Sequence, residues 1–167
     1  MAELTPQERL QPALLDRLTD DAPDKKLESR EERLITKSKL RQAVLRDLAW
    51  LFNATRLSSH VDFTGFPDAE NSVINYGLPA LSGETASTLD VIELERSIKQ
   101  SIIDFEPRIM PETLQIDTLV TENQMDRHNV INVQIRGHLW AQPIPIELLL
   151  RTEVDLETGQ VEISDLL

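Results

Sequence analysis

The 167-residue sequence predicts an α+β fold, with N-terminal helices packed on one face of a small C-terminal antiparallel β-sheet of about four strands. Three observations predict it. Two stretches, 34–55 and 87–105, repeat apolar residues every three or four positions, the spacing that places them on one helix face. From residue 114 onward apolar and polar residues alternate, the period of a half-buried strand. Between the two patterns stands Pro107, which has no backbone N–H and pushes the residue before it out of helical geometry.

Composition narrows the function classes. Hydrophobic residues make up 40% of the chain but aromatic residues only 4%, so aliphatic side chains must build the core. The net charge of −12 argues against nonspecific nucleic-acid binding, which rests on Lys and Arg neutralising phosphates. The absence of cysteine removes disulfides, thiolate catalysis and Cys-ligated zinc together. No apolar run approaches the roughly 18–20 residues of a membrane span, and no apolar signal-peptide core opens the chain. The expectation is a cytoplasmic protein that does not insert into a membrane. Residues 110–167 hold three basic residues against ten acidic ones, a field that keeps an exposed sheet soluble or favours basic partners.

Residues 1–33 read as an arm and linker, and 34–167 as one α+β domain. In the arm Leu10, Leu14 and Leu18 recur every four residues with Leu15 beside them, next to a charged linker containing Pro23. So short a stripe either packs on the body or awaits a partner. Helix 34–55 takes Thr36 or Ser38 as its N-cap, with Leu40, Val44, Leu48, Leu51 and Phe52 as its stripe. Lys37, Lys39, Arg41 and Arg46 are expected on its solvated side. A brief helix, 69–76, is expected behind Asp68 and stopped by Gly77 and Pro79. Helix 87–105 is expected to start at Ser87 with Asp90, to carry Val91, Leu94, Ile98, Ile102 and Phe105 inward, and to pair Glu95 with Lys99 outside. Strands follow at 114–120, 130–140, 146–155 and 160–163, the last pair joined by Glu157-Thr158-Gly159. Short connections imply an antiparallel meander.

Catalytic patterns are sparse. Five scattered glycines form no phosphate loop, and no serine elbow precedes a helix. His60, His128 and His138 lack metal-ligand spacing, so no metal and no cofactor is expected. Glu106 with Asp104 or Glu112 is a nominal carboxylate pair for glycoside hydrolysis, but Arg108 beside Glu106 opposes the raised pKa that a general acid needs. Glu106 and Arg108, flanking a fixed kink, are either a solvated ion pair or a preorganised grip for a partner.

Four blocks together carry a family resemblance. Leu14-Leu15-Asp16-Arg17-Leu18-Thr19-Asp20-Asp21, Leu45-Arg46-Asp47-Leu48-Ala49-Trp50-Leu51-Phe52-Asn53, Ser72-Val73-Ile74-Asn75-Tyr76-Gly77-Leu78-Pro79 and Phe105-Glu106-Pro107-Arg108-Ile109 stand in the order of the TssE family. That family comprises small baseplate subunits of bacterial type VI secretion systems, akin to the lysozyme-like wedge proteins of contractile phage tails. The resemblance implies a non-enzymatic structural protein of an inner-membrane-docked baseplate. It implies partnership with the wedge proteins TssF and TssG, and docking of the first ring of the TssB–TssC sheath. Under it Glu106, Pro107 and Arg108 form the partner-facing grip, with Phe105 closing the core. Leu14, Leu15, Arg17 and Leu18 join the binding surface. A peptidoglycan hydrolase and a regulatory adaptor for one soluble partner are the alternatives.

Overall fold

The computed structural model describes residues 13–19, 23–24, 35–81, 90–119, 130–141 and 144–167. Four helices precede four strands: α1 (Leu14–Leu18), α2 (Lys37–Phe52), α3 (Pro67–Glu70), α4 (Val91–Phe105), β1 (Gln115–Leu119), β2 (Val130–Leu139), β3 (Ile146–Asp155) and β4 (Val161–Asp165). The α+β expectation holds. The predicted arm residue Leu10, the cap Ser87 and the turn 121–129 lie outside the described residues.

The long helices form where their stripes require them. Thr36 caps α2, its hydroxyl accepting from the Lys39 amide at 3.2 Å. Leu40, Val44, Leu48, Leu51 and Phe52 turn inward as their spacing predicts. Asp90 caps α4, its carboxylate accepting from the amides of Ile92 at 2.9 Å and Glu93 at 3.2 Å. The helix begins at Val91 because the aspartate expected to support the cap is itself the cap. Leu94, Ile98 and Ile102 are its buried face.

The sheet is the predicted meander, antiparallel in the order β1-β2-β3-β4. Ile131, Val133, Ile135, Gly137 and Leu139 all face inward on β2, so the alternation sets the register of the whole strand. These residues meet Leu148, Leu150 and Val154 of β3 and the buried stripes of α2 and α4 in one aliphatic core.

Three local expectations are corrected. The brief helix 69–76 is two pieces: α3 starts at Pro67, and a 3-10 turn, Val73–Asn75, follows behind Ser72. Pro67 favours an earlier first turn, and the Asn71 and Ser72 side chains bond back to Pro67 O and Ala69 O, breaking the run. Arg41 and Arg46 are not simply solvated: Arg41 Nε lies 2.7 Å from Asp165, and Arg46 pairs with Asp16 and Asp47. Glu95 reaches the β1 amide of Thr118 at 2.8 Å, because an edge N–H without a strand partner needs an acceptor.

Gly77 has φ +123°, and a Cβ there would stand 2.2 Å from Ala54 O. That approach lets Leu78 N donate to Ala54 O and Arg56 N donate to Leu78 O, each at 2.8 Å. The Tyr76–Leu78 segment is thereby zipped to the chain leaving α2, which delivers Tyr76 to the corner described next.

Candidate functional site

The corner begins where α4 ends. Glu106 is the C-cap residue of α4, its N–H still donating to Ile102 O at 2.8 Å. Pro107 then forces a turn, closed by Ile109 N donating to Glu106 O at 3.1 Å. The outgoing chain is fastened to β2: Trp140 N donates to Arg108 O at 2.7 Å, and Met110 N to His138 O at 2.9 Å. Backbone bonds on both sides thus fix the direction in which Arg108 leaves the chain.

Its guanidinium is held tightly. Nε donates to Glu106 Oε1 at 2.6 Å, and Nη2 bridges Glu106 Oε2 and Asp47 Oδ2, the latter at 2.5 Å. Glu106 Oε1 also accepts from the Arg108 amide at 3.1 Å. A bidentate fork of this kind adds geometric definition to the charge attraction. Glu106 is only 3% exposed, whereas Arg108 is half-buried and Pro107 exposed. The expected division of labour therefore changes. Phe105 packs on the core as anticipated, but Glu106 points inward and aims Arg108 instead of facing out beside it. Burial alone would lower the Arg108 pKa, but the hydrogen bond and charge of Glu106, then those of Asp47, hold it above its ordinary value. Its Nη1 is buried and donates no hydrogen bond among the described residues.

The network continues outward. Asp47 Oδ1 accepts from Arg46 Nε at 2.9 Å, and Arg46 Nη1 donates to Asp16 of α1 at 2.7 Å. Arg46 lies over the Trp50 ring, 5.1 Å from its centroid. The hydrogen bond that Arg46 donates to Asp16 outweighs desolvation and, with Asp47, raises the Arg46 pKa. Tyr76 packs edge-on against Phe105 with centroids 5.2 Å apart, and its hydroxyl reaches Asp47 O at 3.4 Å. Burial, then the charges of Asp47 and Glu106, push the Tyr76 pKa up.

Each of the four sequence blocks thus supplies part of one site: Asp16 from the first, Arg46, Asp47 and Trp50 from the second, Tyr76 from the third, and Glu106 to Arg108 from the fourth. The order Glu106–Arg108–Asp47–Arg46–Asp16 alternates in sign throughout. Sequence reasoning left Asp16, Arg46, Trp50 and Tyr76 out of this site, and Asp47, which touches Arg108 directly, is the most consequential residue it missed. Its signal was an Arg-Asp dipeptide set inside a helix stripe, flanked by Leu45 and Leu48.

On the arm, none of the five residues of α1 is buried. Leu14 is 71% and Leu18 74% exposed, and Leu15 and Arg17 are also on the surface. The open choice for this stripe is resolved in part: α1 touches the body through Asp16, yet its leucines stay in water. The carboxylates proposed for hydrolysis are placed differently. Both Glu106 oxygens are committed to Arg108, and Asp104 accepts from Gln100 at 2.7 Å. Among the described residues no three of His, Asp and Glu stand close enough to hold a metal ion, and no helix is long and apolar enough to cross a membrane.

A family model described as baseplate wedge protein gp25 matches residues 38–144, more than half of the chain, from the start of α2 into the β2–β3 connection. No curated protein and no solved structure matches.

Proposed function

Because the chain belongs to the baseplate wedge protein gp25 family, we propose that it is a structural subunit of a type VI secretion baseplate, joining the TssF–TssG wedge and docking the TssB–TssC sheath from the cytoplasmic side. One observation carries this reading beyond the family. Four separated sequence blocks join in one network around Arg108, a half-buried cation aimed by Glu106 and Asp47, with exposed Pro107 at its side. Such a preorganised group suits recognition, because little side-chain freedom remains to be lost on binding. The exposed leucines Leu14, Leu15 and Leu18, with Arg17, add an apolar surface tethered to the same network. In this reading Pro107, Arg108 and the arm contact the wedge, and Glu106 positions Arg108.

The test is co-expression with TssF and TssG, using Arg108→Lys to keep the positive charge beside Glu106 while removing the fork. A folded variant with wedge recovery reduced at least tenfold is expected. Wedge recovery equal to wild type would overturn the grip at Arg108, and absence of both proteins from wild-type eluates would overturn the baseplate reading.

A further inference from the structure

Between α2 and α4 the chain makes an excursion whose shape is set by polar side chains, and which leaves its apolar ones outside. Its base is the zipper described above, where Leu78 N donates to Ala54 O and Arg56 N to Leu78 O. Beyond the base, Asn75 gathers the short helical pieces. Its Oδ1 accepts from Ser58 N at 2.8 Å, in the 3-10 turn Leu57–Ser59, and its Nδ2 donates to Glu70 O at 3.0 Å, at the end of α3. Ser59 Oγ accepts from Ala80 N at 3.1 Å, and Asp62 accepts from Thr64 N at 2.8 Å. Side chains that bond nearby backbone in this way define turns without a core beneath them.

None of the residues of Leu57–Ser59, α3 or Val73–Asn75 is buried. Val73 is 80%, Phe66 67% and Ile74 61% exposed, and Leu57 and Val61 are exposed as well. These are five of the fifteen large apolar side chains exposed among the described residues, all between Leu57 and Ile74. Single exposed apolar residues are ordinary, but a group of them on a fixed backbone marks a contact surface. Ser72 and Asn75 hold the turn in place whatever side chains stand between them, so the fold itself does not call for valine and isoleucine there.

The charges around this surface carry one sign. Asp62, Asp68 and Glu70 are exposed, and no Lys or Arg occurs from Leu57 to Glu95. Such a rim repels an anionic membrane surface and the phosphates of a nucleic acid. A second copy meeting this face symmetrically would set acid against acid. What remains is an apolar segment flanked by cations. We propose that the excursion is a docking platform for a segment of a partner protein that seats apolar side chains on Phe66, Val73 and Ile74 and places Lys or Arg against Asp68 and Glu70. The partner is the TssF–TssG wedge, so the inference rests on the function proposed above and adds a contact separate from Pro107, Arg108 and the arm. Tyr76, which follows Asn75 directly and packs on Phe105, joins the platform to the corner. Apolar burial supplies affinity, and the acidic rim steers and selects the segment.

Substitution and cross-linking test it in the full chain co-expressed with TssF and TssG. Val73→Ser with Ile74→Ser is expected to lower wedge recovery at least tenfold, and the control Ile92→Ser, 67% exposed on α4, less than twofold. Asp68→Lys with Glu70→Lys is expected to lower it at least fivefold. Full recovery by the Val73–Ile74 pair, or an equal loss in Ile92→Ser, overturns the platform while leaving the wedge reading in place. Full recovery by the Asp68–Glu70 pair overturns a cationic partner segment. Wild-type chain that recovers neither TssF nor TssG overturns the wedge reading itself. Photoreactive benzoylphenylalanine in place of Phe66 keeps an aromatic ring there and leaves the rest of the platform intact. Its cross-link is expected, by mass spectrometry, on a TssF or TssG segment with apolar residues beside Lys or Arg. A cross-link to an acidic segment, to another copy of this chain or to no protein overturns the proposal. Phosphatidylglycerol vesicles are expected to sediment none of the free chain, and sedimentation that Val73→Ser with Ile74→Ser abolishes would assign the platform to a membrane and overturn the partner.

Discussion

The corner at Glu106–Arg108 and the arm helix α1 occupy opposite ends of one charge network, yet they are built on opposite terms. The corner has a turn, two backbone bonds to β2, a bidentate fork and a second carboxylate. Among the described residues α1 has one side-chain tie to the body, Asp16 to Arg46, and none of its five residues is buried. The corner is therefore fixed within the chain itself, whereas α1 leaves its leucines uncovered. The contrast separates orientation from adaptability. A stiff group fixes where a partner sits, and a loosely held helix adds contact area once it is there.

The largest effect should come from the stiff end. Glu106→Ala leaves a half-buried guanidinium with only Asp47 to meet it, and losing one side of a buried pair is destabilising. Since Arg108 keeps some solvent, a loss of about 3 kcal/mol is expected. For a chain of this length that lowers the melting temperature by roughly 6–12 °C, as differential scanning calorimetry would read it. A shift under 2 °C would erase the contrast with the arm. Asp47→Asn is intermediate. It keeps an acceptor for Arg108 but weakens the link to Arg46, with an expected loss of about 1.5 kcal/mol in urea unfolding. Loss equal to that of Glu106→Ala would make Asp47, not Glu106, the true support of the corner.

The smallest effect belongs to Asp16→Ala. The pair is part-buried but keeps contact with solvent, so stability should change by no more than about 1 kcal/mol. What should change is position. A nitroxide at Leu18→Cys, the sole thiol in a cysteine-free chain, is expected to broaden the Trp50 indole resonance in the parent and to release it in Asp16→Ala. One molar salt, which screens exposed charges within about 3 Å, should release it as well. Broadening that survives both changes would mean the leucines, and not the ion pair, hold the arm.

These two ends also differ in how far the sequence revealed them. Periodicity located α2, α4 and every strand, because a buried stripe must repeat with the geometry of its element: Ile131 to Leu139 could face inward only in one register. Pro107 marked the corner, because its effect on the backbone is local. What stayed hidden was long-range. Asp47 and Arg108 are 61 positions apart and Arg46 and Asp16 are 30 apart, and no spacing rule ties them. The inward turn of Glu106 was hidden for the same reason, since its burial depends on α2 lying against the end of α4. Glu95 showed the same limit: on the helix alone Lys99 is its natural partner, but an unpaired amide on β1 is the stronger claim on its carboxylate.

The bonds from Arg108 O to Trp140 N and from Met110 N to His138 O have a mechanical consequence. With the Ile109–Leu139 bridge they make the corner a short continuation of the sheet, joined side by side with β2. A pull on Arg108 directed along β2 loads these bonds together in shear, while a pull across the sheet would peel them one after another. The corner and the four strands therefore behave as one stiff link along the strand direction, and the arm, held at Asp16, is the compliant tether beside it.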